Sequence, residues 1–552
     1  MSDIVSLVER SAPDPGWRLK ELDRCLQRNR SNRLRYFDAK GKSVEVSYPQ
    51  IREEAWKLIA MFEEAGFPLG KGKRCAVAAV PSYEWVLAAV ACILTGTELV
   101  AVPETLQEGE LEDTLTELGI DFCICDPQIR KLAPFHSLPG LETDGIRERC
   151  EQRELATNVY VPCFSVVAFT SGSRATSKLK AFRLQAGATE LFISVFVREF
   201  GLNESDDWLV CHPFSHIVHL EYVLGGLCAG YNVTLATPMQ LVLKGRELCP
   251  AVVVTVPSVY QHLLRVIHAR LPTRGIRAAL IRLLHRRPSY RFSRPLAKWV
   301  RPWLLREVES VIGEHLKVMI IGAAPSSESM KRELVSLGVP VYEGYGLSET
   351  NMVACNVPGH ERPETVGPVW PGVSVRVTDT GGVQVRLQAP RTQSYLNVGK
   401  HENMSTFLEG GWIDTGDVGR LDGEYLTITG REKDIIVTDR GKNINPASIE
   451  TLLQGITGIQ NALVFGDNRP FLVALLNCAG DVVLNEEEVR MRIEELNRCL
   501  PSHERIQSFL LLEDELNEGN GLMTRSGKPR RRVIEERYAD ALEELYGREA
   551  AV

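Results

Sequence analysis

Short continuous apolar runs alternate along this chain with longer stretches whose apolar residues recur at helical spacing. Cys75 to Val80, Leu99 to Val102 and Phe122 to Cys125 are runs of strand length, while Tyr83 to Leu94 and Leu106 to Leu118 carry the helical pattern. Strands alternating with helices of about a dozen residues predict βαβ units and a parallel sheet. The alternation resumes further on. Phe164 to Ala168 reads as a strand and Leu191 to Phe200 as a helix; Trp208 to Cys211, Ala251 to Val256, Val318 to Ile321 and Val339 to Tyr342 read as further strands. The pattern predicts a large N-terminal α/β region with more than one sheet.

Length and composition narrow this picture. At 552 residues the chain exceeds what one hydrophobic core usually supports, so two or more domains are expected. With 44% hydrophobic and 24% charged residues it has the composition of a soluble globular protein. A net charge of -7 and a pI near 6.0 argue against a general nucleic-acid binder. The opening MSDIVSLVERSAPDPGW lacks the basic start and unbroken apolar core of a signal peptide, and no window approaches 18 uninterrupted apolar residues. The 13 cysteines form no CxxC and no Cys/His cluster at zinc spacing. They read as reduced, mostly buried thiols of a cytoplasmic protein, with no structural metal.

One stretch departs from the acidic background. Eleven arginines and Lys298 fall between Arg265 and Arg306 with no acid among them, interleaved with groups such as Leu280, Phe292, Trp299 and Trp303. Two readings fit the 265–306 segment. One is a helix lying on anionic lipid headgroups at the inner face of a membrane, and the other a solvated basic face whose apolar residues pack inward.

The candidate chemistry begins where the Phe164 to Ala168 run ends. Phe169 to Lys180 reads FTSGSRATSKLK: hydroxyls, a glycine and lysines after a buried strand, a pattern that presents backbone N–H groups and an ammonium to phosphate oxygens. It is not the P-loop pattern, and a surface turn explains it equally well taken alone. Glu343 to Thr350 reads EGYGLSET, where two glycines let a ligand plane approach the backbone, Tyr345 can stack on a base, Ser348 can bond a phosphate and Glu349 can hold Mg²⁺. Trp412 to Asp417 reads WIDTGD, and Gly430 to Glu450 reads GREKDIIVTDRGKNINPASIE; Asp417 can accept from vicinal ribose hydroxyls, with Arg431 as a donor nearby. Each of these alone is also a glycine turn beside a solvated acid.

Taken in order, the motifs resemble the adenylate-forming superfamily of acyl-CoA synthetases, luciferases and peptide-synthetase adenylation domains, and within it the long-chain fatty-acid branch. The match runs from about residue 45 to about residue 540. It adds HPFSH at His212 to His216, VPSVY at Val256 to Tyr260, GAAP at Gly322 to Pro325 and LMTRSGKPRRRVIEERY at Leu522 to Tyr538. The resemblance implies an N-terminal adenylation domain over residues 1–430, built of α/β sheet subdomains plus a β-rich subdomain. A small mobile α+β lid follows over 431–552, turning about a hinge at Lys433. It implies ATP, Mg²⁺ and CoA, or the phosphopantetheine of a carrier protein, and a two-step reaction through an acyl-adenylate to a thioester.

The site residues carry over by position. Thr170, Ser171, Gly172, Ser173 and Lys178 would cradle the β and γ phosphates, and Ser348 the α-phosphate, with Glu349 on Mg²⁺. Tyr345 and Gly346, with the backbone of Gly322, Ala323 and Ala324, would border the adenine, and Asp417 and Arg431 would hold the ribose. Lys528 would be the catalytic lysine reaching the carboxylate and α-phosphate, and His216 would border the acyl pocket. Gly441, Lys442 and Asn443 would face the thiol tunnel.

Departures from the family pattern shape the expected function. The usual phosphate loop is Ser-Gly-Thr-Thr-Gly-x-Pro-Lys-Gly, whereas Ser171 to Leu179 reads SGSRATSKL, with Ala175 and Leu179 in place of glycines and Arg174 in place of a hydroxyl. If those glycines take positive φ, each replacement costs about 1 kcal/mol or more. Asp414 stands where a basic residue is frequent before TGD. Ser215 stands where amino-acid-activating relatives place an acid, and apolar neighbours such as Phe214, Ile217, Leu220, Leu224 and Leu227 suit a hydrocarbon tail. The leading expectation is a free-standing fatty acid–CoA ligase. The same adenylate passed to an acyl-carrier protein or biosynthetic partner is the second reading, and a degenerate acyl- or nucleotide-binding protein without catalysis the third.

Overall fold

A computed structural model describes residues 4–10, 12, 16–103, 108–170, 179–271, 306–322, 328–456, 458–478, 485–513, 516–517, 519–523 and 529–549. Ser171, Gly172, Ser173, Lys178, Ala323, Ala324, Lys528 and most of the basic run, 272–305, lie outside the described residues.

The alternating pattern folds into two largely parallel sheets. The first has six strands in the order Gly140–Glu142, Phe122–Cys125, Arg74–Ala78, Glu98–Ala101, Val166–Thr170 and Lys180–Leu184, all parallel except the last. The second has eight. Asn351–Cys355 and Ser43–Ser47 are its antiparallel edges, and Val341–Leu347, Val318–Ile321, Val252–Thr255, Asp207–Val210, Asn232–Leu235 and Arg33–Phe37 run parallel between them. Both faces of such strands are covered, which is why they read as unbroken apolar runs.

Two helices, Tyr83–Thr95 and Ile217–Ala229, are apolar almost all the way round and belong to one core cluster with strands of both sheets. A helix without a polar face has to be buried on every side. Ser82 starts the first of them by accepting from the Trp85 N–H at 3.2 Å, and Gly96 ends it at φ +73. The second carries one acid in its apolar middle, Glu221.

An antiparallel five-stranded sheet follows: Ile4–Glu9, Val373–Thr378, Gly382–Leu387, Trp412–Asp422 and Tyr425–Arg431. Beyond it lie a two-stranded hairpin, Ile436–Val437 with Asn443–Ile444, and a three-stranded sheet, Ile459–Phe465, Leu472–Cys478 and Ile506–Leu512. The helices Pro446–Gln454, Glu486–Cys499, Arg531–Arg537 and Ala539–Glu549 accompany them. Two apolar clusters here contain only residues from Ile436 onward.

Two expectations change. The strand placed at Val339 to Tyr342 runs on through the glycine motif to Leu347, so EGYGL is strand and only Ser348 to Thr350 forms the turn. Leu179 has no positive φ and packs against the apolar cluster beneath the six-stranded sheet, so replacing glycine there introduces no left-handed strain. Among the described flanks of the basic run, Arg270 donates to the carbonyl and hydroxyl oxygens of Ser310 at 2.6 and 2.8 Å. No described helix is long and apolar enough to cross a membrane. All 13 cysteines are free, most of them buried.

Candidate active site

The ends of the parallel strands in an open α/β sheet are where ligands bind, because the chain turns there and leaves a crevice. Gly322 leaves the strand Val318–Ile321 beside the next strand, and a Cβ on it would stand 3.3 Å from the Gly344 carbonyl. Gly346 is tighter still. Its Cβ would meet the Asn351 carbonyl at 2.0 Å, so the return of the hairpin requires glycine whether or not a ligand is bound. In the turn the Leu347 N–H donates to Thr350 Oγ1 at 3.1 Å, leaving Ser348 and Glu349 half-buried at the tip.

Tyr345 points from this hairpin toward the five-stranded sheet. Its hydroxyl donates to Asp417 Oδ2 at 2.6 Å, while Arg431 Nε stands 3.0 Å from Asp417 Oδ1. Asp417 and Arg431 are direct cross-strand partners, which fixes that pair by register. Only 4% of Asp417 is exposed. Burial, with the Asp417 charge added to it, pushes the Tyr345 phenol well above its ordinary range. Asp414, the departure before TGD, shapes the strand just before Asp417: its Oδ1 accepts from the Gly416 N–H at 2.9 Å, and Gly416 sits at φ +66.

Glu349 is held by a residue the sequence did not single out. Tyr395 donates its hydroxyl to Glu349 Oε1 at 2.5 Å, and among the described residues no donor reaches the other carboxylate oxygen. A half-buried carboxylate with one free oxygen is a suitable ligand for a hard divalent cation. The segment around Tyr395 also holds the chain that follows the phosphate-loop residues. Leu396 N–H donates to the Ala181 carbonyl, Ala181 N–H to Asn397 Oδ1 and Asn397 Nδ2 to the Leu179 carbonyl, at 2.7, 2.7 and 2.6 Å. Lys180, paired across the strands with buried Thr170, places its ammonium 4.8 Å from the Tyr395 ring centre. The C-terminal flank of 171–178 and the Glu349 carboxylate are therefore both held by residues 395–397, with Thr170 joined to that flank through its pairing with Lys180.

A second group under the same turn also escaped the sequence reading. Glu221 and Arg391 form an ion pair at 2.7 Å with side chains 0% and 1% exposed. Glu221 Oε1 also accepts from Thr189 Oγ1 at 2.7 Å, and Oε2 from Asn351 Nδ2 at 2.9 Å. Burial pushes Glu221 up and Arg391 down, but three donors on one carboxylate and a guanidinium that keeps its proton leave the pair charged.

The histidine motif is split by the structure. His216 is exposed at the start of the helix Ile217–Ala229, whereas Phe214, Ile217, Leu220, Leu224 and Leu227 are core residues, so their apolar surface is covered by packing. His212 shares a hydrogen bond with Thr255, and burial, with His216 adding to it, pushes its imidazole down to about 4. His219, its ring centre 5.0 Å from that of His212, is buried, and burial, with His212 and His216 adding to it, holds its imidazole well below the ordinary range.

In the C-terminal part, Gly441 and Lys442 are exposed in the hairpin connection and Asn443 at the start of its second strand, with Gly441 at φ +69, and Lys433 is exposed just after the last strand of the five-stranded sheet. Met523 and Pro529 pair across the segment that holds Lys528. Arg531 donates to the Val464 carbonyl at 2.6 Å and pairs with Glu450, and Arg532 pairs with Glu536 at 2.9 Å, so these two arginines make contacts within the fold.

Residues 23–405 match the AMP-binding enzyme family, and residues 433–550 match the AMP-binding enzyme C-terminal domain. A long-chain-fatty-acid–CoA ligase of Mycobacterium bovis is 25% identical over 568 residues, covering 91% of this chain and 91% of its own. ATP-bound MatB from Rhodopseudomonas palustris has the same fold, with a TM-score of 0.74 at 20% identity over 95% of this chain and 99% of its own. So does the o-succinylbenzoate CoA synthetase of Bacillus subtilis in complex with its acyl-adenylate intermediate, at a TM-score of 0.73 and 19% identity over 93% and 97%. With both parts of the pattern matched in order, the chain belongs to the AMP-binding enzyme family, the ATP-dependent ligases of adenylate-forming fold.

Proposed function

We propose that this enzyme activates a hydrophobic carboxylic acid, of fatty-acid type, to an acyl-adenylate and passes the acyl group to CoA. The observation that carries the reading is that residues 395–397 hold both Glu349 and the chain following the phosphate loop, while Tyr345, on the strand that leads into the Glu349 turn, bonds Asp417 of the Asp417–Arg431 pair. A carboxylate is a poor electrophile until one of its oxygens belongs to a good leaving group, so the site must bring two anions together and neutralise charge. Asp417 accepts from the ribose hydroxyls, while Tyr345 braces Asp417 and borders the base. Thr170, Ser171, Gly172, Ser173 and Lys178 take the β and γ phosphates, Ser348 the α-phosphate, and Lys528 donates to the carboxylate and α-phosphate as the new bond forms. Glu349 would hold Mg²⁺, which supplies positive charge to the triphosphate.

The division at residue 430, with a lid over 431–552 turning at Lys433, belongs to the same reading. It is supported by the two apolar clusters built only from Ile436 onward and by the family match resuming at residue 433. Turning the lid exchanges Lys528 for Gly441 to Asn443 at the site, so one crevice serves both half-reactions. The fatty acid is supported by the Mycobacterium bovis relative rather than by the core residues after His216.

The test is acid-dependent exchange of labelled pyrophosphate into ATP across a panel of aliphatic and aromatic acids, followed by thioester formation with CoA and with a holo carrier protein. Exchange best with aliphatic acids, lost in Lys528→Ala, and thioester on free CoA are expected. A wild-type enzyme silent across the panel would overturn the reading, and thioester on the carrier protein alone would replace its acceptor.

A further inference from the structure

Glu221 is the one acid in a helix otherwise buried among apolar side chains, and Arg391 is its partner from 170 residues further along the chain. A buried pair of this kind is poorly explained by stability alone. Desolvating both charges offsets most of their attraction, and apolar residues of similar volume commonly do as well. What apolar residues cannot do is fix three separate elements at one point with directional bonds.

That is the arrangement here. Thr189 reaches Glu221 from the helix Ala186–Glu199, Asn351 from the residue after the Ser348 to Thr350 turn, and Arg391 from the segment that leads to Tyr395. Asn351 sits at φ +61, donates through Nδ2 to Glu221 and accepts through Oδ1 from the Met352 N–H at 2.9 Å, so both ends of its amide are committed. Two residues before it stands Glu349, and four residues after Arg391 stands Tyr395, the donor to Glu349. Arg391 is also close enough to Glu349 for their charges to interact.

We propose that the buried Glu221–Arg391 pair is a positioning device for Glu349, setting its turn through Asn351 and its hydrogen-bond donor through residues 391–395. The proposal rests on the reading of Glu349 as the Mg²⁺ residue, and the variants separate the two. Neither Glu221 nor Arg391 touches the nucleotide in this account. Their effect reaches the chemistry through the orientation of one carboxylate.

The experiment uses the full-length enzyme without acid, so that nothing turns over. ATP affinity is measured by calorimetry with and without Mg²⁺, beside the melting midpoint, for wild type, Glu349→Gln, the apolar exchange Glu221→Leu/Arg391→Met, and Asn351→Gly. The glycine variant keeps the left-handed backbone and removes the amide donor. Expected for the exchange and for Asn351→Gly is a loss of about tenfold in the Mg²⁺-dependent gain in ATP affinity, with Mg²⁺-free affinity unchanged, as for Glu349→Gln.

If the exchange variant fails to fold, Asn351→Gly alone decides. A folded variant of either kind that keeps the full Mg²⁺ gain, while Glu349→Gln loses it, overturns the positioning role and leaves Glu349 in place. A Glu349→Gln enzyme that keeps the gain removes the metal reading, and the positioning proposal with it.

Discussion

Replacing Tyr395 by phenylalanine deletes one hydroxyl from beneath the proposed metal carboxylate and little else. The ring keeps its edge contact with Phe407, at 5.1 Å between centres, and the Lys180 ammonium 4.8 Å from its own centre. What is lost is the 2.5 Å bond to Glu349 Oε1 from a residue only 6% exposed. A hydrogen bond to a charged acceptor contributes about 1.5–3 kcal/mol, and because Glu349 is half-buried and water can take the vacated position, the lower end applies. At about 1.4 kcal/mol per decade this is a loss of about tenfold in pyrophosphate exchange. The loss should lie in the Mg²⁺ concentration for half-maximal rate, with the KM for the acid unchanged. Burial and the Glu349 charge push the Tyr395 phenol above its ordinary value of 10.0, so the donor keeps its proton as pH rises through that value. The ratio of wild type to variant should therefore be flat from about pH 6 to about pH 9. A ratio near one, or one that falls toward one as pH rises across that range, would refute the reasoning.

Three further outcomes follow from the geometry. Asp417→Asn keeps the shape of a side chain that accepts from Tyr345 and pairs with Arg431, but removes its charge. The KM for ATP should rise about tenfold with turnover at saturating ATP changed little, and an unchanged KM would count against the ribose role. Gly346→Ala places a Cβ 2.0 Å from the Asn351 carbonyl, an overpacking of about 1–3 kcal/mol. The melting midpoint should fall by several degrees, and an unshifted midpoint would mean that the hairpin yields without cost. His212, at about 4 when folded against 6.5 unfolded, binds its proton more readily in the unfolded chain. Its stabilisation is complete above pH 6.5 and is lost as pH falls from there toward 4, by about 2 kcal/mol at pH 5. Denaturation midpoints of wild type and His212→Asn between those pH values should converge as pH falls, and parallel curves would show that His212 does not titrate this way.

Much of this molecule can be read in sequence because the physics is local. Strands buried on both faces must be apolar throughout, so Arg74–Ala78, Phe122–Cys125 and Val318–Ile321 stand within a few residues of the runs that announce them. Tyr345, Glu349, Asp417 and Arg431 lie in contiguous motifs, and the structure brings Tyr345, Asp417 and Arg431 into direct contact. EGYGL looked like a loop because glycines usually mark one, yet here they let two strands of a hairpin pass closely. Glu221, Arg391, Tyr395 and Asn397 were not legible as a set, since their meaning lies in contacts with residues 32 to 218 positions away. The single signal was Glu221, an acid where the helical pattern allowed only apolar groups. The apolar residues after His216 misled in the opposite sense: they suited a hydrocarbon tail, and a core requires the same residues.

Asn351 imposes two requirements on one codon. Its backbone at φ +61 admits glycine, asparagine or aspartate readily, and its bond to Glu221 demands a side-chain donor. Glycine satisfies the first alone, glutamine the second alone, and aspartate would set a second carboxylate against the first. Asparagine meets both conditions with a short side chain, which few other residues can do. One side chain therefore couples the closure of the hairpin to the charge placed beneath it.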